Sequence, residues 1–212
     1  MIVVQPVLDI GTRDGFALWP VAEREPFTFM PLHGTLSAAE IGTAVMTVAA
    51  YNNVRPDAED AECPPARPGD PVEDFLRGLL TEEDVQAPGG LRVTDTARDM
   101  ALLPGCCNGL EEWRDWLDVL DGAGHAGFGH DPSSFAERHG DVVRLTVDAQ
   151  RDDSPVLEVP VDVLRTGIAR AERDLAGFLR AAAGWAAVRL PAHAPAVATA
   201  LARSLDMPPP GA

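Results

Sequence analysis

Two adjacent cysteines, Cys106 and Cys107, are followed within the same stretch by His125 and His130. Thiols and imidazoles in one neighbourhood admit three kinds of chemistry. Cysteine can serve as a small buried hydrophobe, and both thiols then sit where a hairpin meets a helix, against Leu103, Leu110 and the flank of Trp113. One thiol can instead be a nucleophile, activated near a helix start, with His125 or His130 as its base. The four side chains can also bind a metal such as zinc. Spacing argues against the last, because adjacent cysteines do not easily ligate one tetrahedral ion and no C-x-x-C or H-x-x-x-H pair is present. The expectation is therefore that there is no metal and no cofactor, and that both cysteines are buried structural thiols. Trp116, at the edge of an apolar helix face, and Asp131, in the turn His130-Asp131-Pro132, are the candidate contact residues for a partner. His33 and His193 lie beside prolines and look incidental.

Other signatures are absent. The chain has 212 residues with 17 basic side chains, every one of them arginine. Without lysine there is no phosphate-binding G-x-x-x-x-G-K-[ST] loop and no lysine Schiff base. No G-x-S-x-G occurs, and no G-x-G-x-x-G opens a βαβ unit. The missing lysine, beside abundant Ala, Gly, Pro and Arg, reads as the coding bias of a GC-rich genome. The 33 acidic residues set a formal net charge of −16. Such a charge repels nucleic-acid phosphates and anionic membranes, so direct binding to either is not expected. It favours cations and basic protein partners.

The elements that must position these groups come next. Ile2 to Leu8 is β-branched and apolar, and Phe16 to Trp19 resumes the run after turn residues 11–15, which predicts a hairpin. Phe27 to Met30 predicts a third strand. Ser37-Ala38-Ala39-Glu40 is a capping box that opens a helix ending near Asn53. Residues 55–70, rich in proline and acid, read as a flexible loop. Asp70-Pro71 starts a second helix whose stripe is Phe75, Leu76, Leu79 and Leu80. Leu91 to Val93 and Met100 to Leu103 predict another hairpin. Asn108, with Glu111 as box partner, is expected to cap a helix carrying Leu110, Trp113, Leu117 and Leu120. Gly122 to Gly129 reads as loop. Two more strands follow at 141–147 and 156–159. A long helix at about 162–186 carries the strongest periodicity, through Leu164, Ile168, Ala171, Leu175, Phe178, Leu179, Ala182 and Trp185. Residues 191–212 read as an appended helix and a frayed tail.

The segment Pro104-Gly105-Cys106-Cys107-Asn108-Gly109-Leu110-Glu111-Glu112-Trp113-Arg114-Asp115-Trp116, with Gly90 to Thr96 and Gly129 to Pro132, resembles stretches of uncharacterised actinobacterial proteins. The resemblance covers roughly the second half of the chain. It implies an actinobacterial source and a cytoplasmic location, and it brings no catalytic residue with it. The start of the chain has no basic region followed by an apolar run, and no window is long and apolar enough to span a membrane. With an odd cysteine count, which includes Cys63, a cytoplasmic protein with reduced thiols is expected.

Together these features predict a single α+β domain, with a mostly antiparallel sheet packed by the long C-terminal helix. They favour a non-catalytic acidic interaction module of immunity or regulatory type that binds a basic partner. The rivals are a small enzyme using Cys106 or Cys107 with His125 or His130, and an acidic mimic of nucleic acid. The residues leave open whether the protein is an enzyme.

Overall fold

The computed structural model describes residues 1–12, 14–53, 70–122 and 124–211. The loop expected at 55–70 lies, apart from Asp70, outside the described residues, as does Cys63. The fold is α+β, with two four-stranded antiparallel sheets and a long helix packed on the first. The first sheet holds β1 (Ile2–Ile10), β2 (Thr28–Pro31), β3 (Gly89–Asp95) and β4 (Met100–Leu102) in the order β2-β1-β3-β4. The second is a meander of β5 (His125–Gly127), β6 (Phe135–His139), β7 (Val142–Thr146) and β8 (Val156–Pro160).

β1 is the central rail. It pairs with β3 from Ile2↔Asp95 to Leu8↔Gly89, and with β2 over Val7 to Ile10. The expected strand at Phe16 to Trp19 does not form. Trp19 instead sinks into the core, gives its indole N–H to Gly42 O at 2.8 Å, and meets Phe16, Phe75 and Trp185 in edge-on contacts. Four aromatic rings can bury their area only by leaving the plane of a sheet, so packing overrides the local β pattern here.

The first two helices begin where the capping residues place them. In α1 (Ala38–Asn52) Ser37 Oγ accepts from the Glu40 amide while Glu40 accepts from the Ser37 amide. In α2 (Pro71–Thr81) Asp70 accepts from Val72 N at 2.9 Å. Glu40 takes hydrogen bonds from Ser37 N and Ser37 Oγ at 2.9 and 2.8 Å and pairs with Arg24. The Ser37 bonds first, and the Arg24 guanidinium after them, hold the Glu40 carboxyl below its ordinary value of 4.5. Its contribution to stability is therefore complete above that ordinary value and is lost as pH falls through the lower folded value. Melting curves taken from pH 7 down to pH 3 should show a drop in this acid window, and Glu40→Gln should remove that part of the slope. An unchanged slope in the variant would show that Glu40 does not carry it.

α4 (Val161–Arg189) lays its buried stripe, from Leu164 to Ala186, over β1. Gly167 lets the two backbones approach, since a Cβ there would meet Val4 Cγ2 at 2.5 Å. The C-terminal segment is not an appendage. Val197, Ala200, Leu201 and Ala202 of α5 (Ala194–Arg203) are buried together with Leu205, and Leu205 O accepts the Trp113 indole N–H at 3.0 Å. Arg114 pairs with Asp206 and lies over the Trp113 ring at 4.3 Å. One continuous set of buried side chains links both sheets to all the helices. Among the described residues, no helix is long and apolar enough to cross a membrane.

Candidate functional site

The segment between β4 and the second sheet departs most from expectation, and it holds the candidate residues Cys106 and Cys107. Asn108 does not cap the following helix. That helix opens as a 3-10 turn at Leu110–Arg114 after Gly109 and becomes α3 at Asp115–Asp121. Asn108 is buried, and its amide donates to Gly89 O at 2.6 Å, tying the cysteine loop to the start of β3. Backbone bonds from Gly89 N to Asn108 O (3.0 Å) and from Leu110 N to Ala87 O (2.8 Å) close the same junction.

The other side of the loop is held by a short bridge between two stretches that the sequence reads as unconnected. Cys106 N donates to His130 O at 2.6 Å, His130 N donates to Cys106 O at 3.1 Å, and Gly105 N donates to Phe128 O at 2.7 Å. Below it, Ser134 Oγ donates to Leu103 O at 2.7 Å. Trp116 lies under the bridge, 1% exposed, stacked on Phe128 with ring centroids 4.2 Å apart and planes 6° apart. Trp116 therefore cannot be a contact residue for a partner. Its place on the helix face fits an edge position, but β5, and the Phe128 that follows it, cover that edge. The glycine-rich stretch read as loop contains β5, and Phe135 to His139 form β6, which carries no marked strand signal.

Both thiols are exposed, not buried against Leu103, Leu110 and Trp113 as expected. The reason is geometric. In an extended strand, adjacent side chains point to opposite faces. Cys107 follows the isolated bridge at Cys106 with φ 64, in the left-handed region, and the two sulfurs lie on one side. Their Sγ atoms are 3.6 Å apart. Asp131 also has positive φ, 51, and its Oδ2 lies 3.1 Å from His130 Nδ1. Left-handed backbone at residues other than glycine costs on the order of 1–3 kcal/mol each. The hydrogen bonds on both sides of the loop offset that cost and fix the geometry.

The two sulfurs and a ring nitrogen of His130 all lie within 4.8 Å of one another. His125 is not in this group; its exposed ring packs 5.2 Å from Phe135, from a strand that pairs with β6. The electrostatics are those of a shared proton. The hydrogen bond from Cys106, and then that from His130, push the Cys107 thiol down, while the same bond to Cys107 pushes Cys106 up. Asp131 first, and Cys107 after it, push His130 up. Of the two thiols, Cys107 is therefore the one that gives up its proton more readily, beside a neighbouring S–H and the imidazole.

The cavity that touches Cys107, lined also by Tyr51, Pro88 and Glu111, is about 10 Å³. A larger open groove of about 400 Å³ shares Tyr51 and Pro88 with it and runs away past Asp9, Thr47 and Phe27. Cys107 lines the small cavity, neither cysteine lines the groove, and both thiols are exposed to solvent. No protein-family model matches the chain, and no curated protein or solved structure is significantly similar to it.

Proposed function

We propose that the protein works through the exposed pair Cys106 and Cys107 as a thiol-dependent surface site, supported by His130 and Asp131. The observation that carries this reading is the convergence of two exposed sulfurs and one imidazole on a backbone bridge between Cys106 and His130. Buried packing thiols need neither exposure nor an imidazole. Cys107 supplies the reacting sulfur, Cys106 stabilises it by hydrogen bonding, and Asp131 fixes the His130 ring. The cavity beside the thiols is smaller than a small organic substrate requires, so the reactant arrives from solution. The net charge of −16 favours a cationic reactant or a basic partner that delivers one. This keeps the acidic interaction reading as the means of recruitment and gives the chemistry to the thiols.

Iodoacetamide kinetics, read on the tryptic peptide that runs from Asp99 to Arg114, test the assignment. Cys107→Ser should remove the faster of the two reactions and leave the melting temperature almost unchanged, as expected for an exposed side chain. His130→Asn should slow the Cys107 reaction. Loss of several degrees of melting temperature together with slow native alkylation would return both cysteines to a packing role.

A further inference from the structure

The same cluster has the form of a three-ligand metal site. We propose that Cys106 Sγ, Cys107 Sγ and His130 bind one zinc(II) ion and leave its fourth position open to solvent. This rests on the thiol reading above and names what the thiols take.

Three observations carry it. The first is the distance between the sulfurs. Two thiolates bound to a tetrahedral zinc at the usual bond length stand about 3.8 Å apart, and the two Sγ atoms already lie 3.6 Å apart. The objection that adjacent cysteines cannot share an ion holds for an extended strand, and the left-handed backbone of Cys107 removes it. The second is the third ligand. A ring nitrogen of His130 lies within 4.8 Å of both sulfurs, so one ion between them reaches all three with a small closing of side-chain torsions.

The third is the carboxylate behind the imidazole. When His130 Nδ1 carries the proton it donates to Asp131 Oδ2 at 3.1 Å, which leaves the Nε2 electron pair for an ion. A carboxylate on the far nitrogen of a ligating histidine fixes the tautomer and raises the ligand's basicity. Two thiolates and one imidazole are the ligands of zinc, not those of calcium or magnesium, which take oxygen. Two thiolates also carry enough charge to neutralise the ion, and the surrounding net charge of −16 draws cations to the surface. With three exposed protein ligands, the fourth position is held by water or by a group on an incoming partner.

Cobalt(II), which takes the same tetrahedral geometry and absorbs visible light, is the probe. Added to the reduced full-length chain, it should bind one equivalent, with a sulfur-to-cobalt charge-transfer band in the near ultraviolet and strong visible bands of a tetrahedral centre. Zinc should displace it, and excess magnesium should not. Cys106→Ser, Cys107→Ser and His130→Asn should each abolish the charge-transfer band or shift it. Asp131→Asn should keep the band and weaken affinity about 10–100-fold. Zinc should also slow alkylation of both cysteines by roughly tenfold or more, because ligated thiolates are no longer free to react.

Weak octahedral bands that survive both cysteine substitutions would mean that surface carboxylates bind the ion, and the proposal fails. Rapid alkylation of the metal-free protein that zinc does not slow would refute zinc binding and leave the thiol site standing. Slow alkylation of the metal-free protein would refute the thiol site itself. Protection by copper(I) and not by zinc would overturn the assignment of the ion.

Discussion

Trp116→Ala is expected to destabilise the protein by about 3–5 kcal/mol, the range for removing a large buried aromatic. The indole is 1% exposed and lies flat on Phe128, so truncation leaves a cavity between α3 and the residues after β5. The effect should reach the thiols. Phe128 O accepts the Gly105 amide, and Gly105 starts the bridge that sets Cys106 against His130. Urea unfolding should show the lower midpoint, and in the folded variant the dependence of Cys107 alkylation on His130 should weaken. A midpoint unchanged within about 0.5 kcal/mol would mean that the stack is not a packing unit.

Gly105→Ala should produce the second large effect, and it acts on the site more directly. A Cβ at this position would run into Pro132 O and would lie 2.6 Å from both the nitrogen and the oxygen of His130. Those atoms are backbone and cannot swing away. The strands must separate, which strains or breaks the bonds between Cys106 and His130. Overpacking of this kind costs about 1–3 kcal/mol, and each broken backbone bond adds about 0.5–1.5 kcal/mol. The melting temperature should fall, and Cys107 should lose its sensitivity to the His130→Asn change. A variant that melts like the parent and keeps that sensitivity would show that the close approach at Gly105 does not hold the site together.

How much of this was legible in the sequence follows from the range over which each signal acts. Capping is local, so Ser37 with Glu40 and Asp70 with Pro71 mark the starts of α1 and α2 correctly. The apolar period of α4 is long enough to survive any single exception, and the helix extends only a few residues beyond its expected ends. β5 and β6 fail for the opposite reason. His125-Ala126-Gly127 holds a glycine, and Phe135 to His139 carries three charged or titratable side chains in five positions, so neither favours a strand by itself. β6 is a strand because β7 offers it an open edge, and β5 because β6 then offers the next one. Phe16 to Trp19 shows the reverse, a strand pattern that aromatic packing overrides.

The site residues were visible as types and not as a constellation. Cys106, Cys107, His130 and Asp131 stand out from the sequence, and the structure groups all four. His125 was an equal candidate and falls away because β5 turns it toward Phe135. The pairing of Cys106 with His130 depends on a two-residue bridge between non-consecutive segments, and no periodicity encodes that. Exposure of the thiols goes with the left-handed φ of Cys107 and the bridge to His130, which no periodicity marks. Pro104-Gly105 and Cys107-Asn108-Gly109 contain turn-forming residues, the local signs that the chain turns on either side of Cys106.

If Cys106 and Cys107 form a working surface site, their reactivity in the native chain shows it. The decisive quantity is the alkylation rate of each cysteine in the native chain near neutral pH, set against its rate in the denatured chain. Cys107 should react at least as fast when folded as when unfolded, and faster than Cys106, because the folded site gives its thiolate hydrogen bonds that the open chain lacks. Protection of both thiols in the folded state, released only on denaturation, would contradict it.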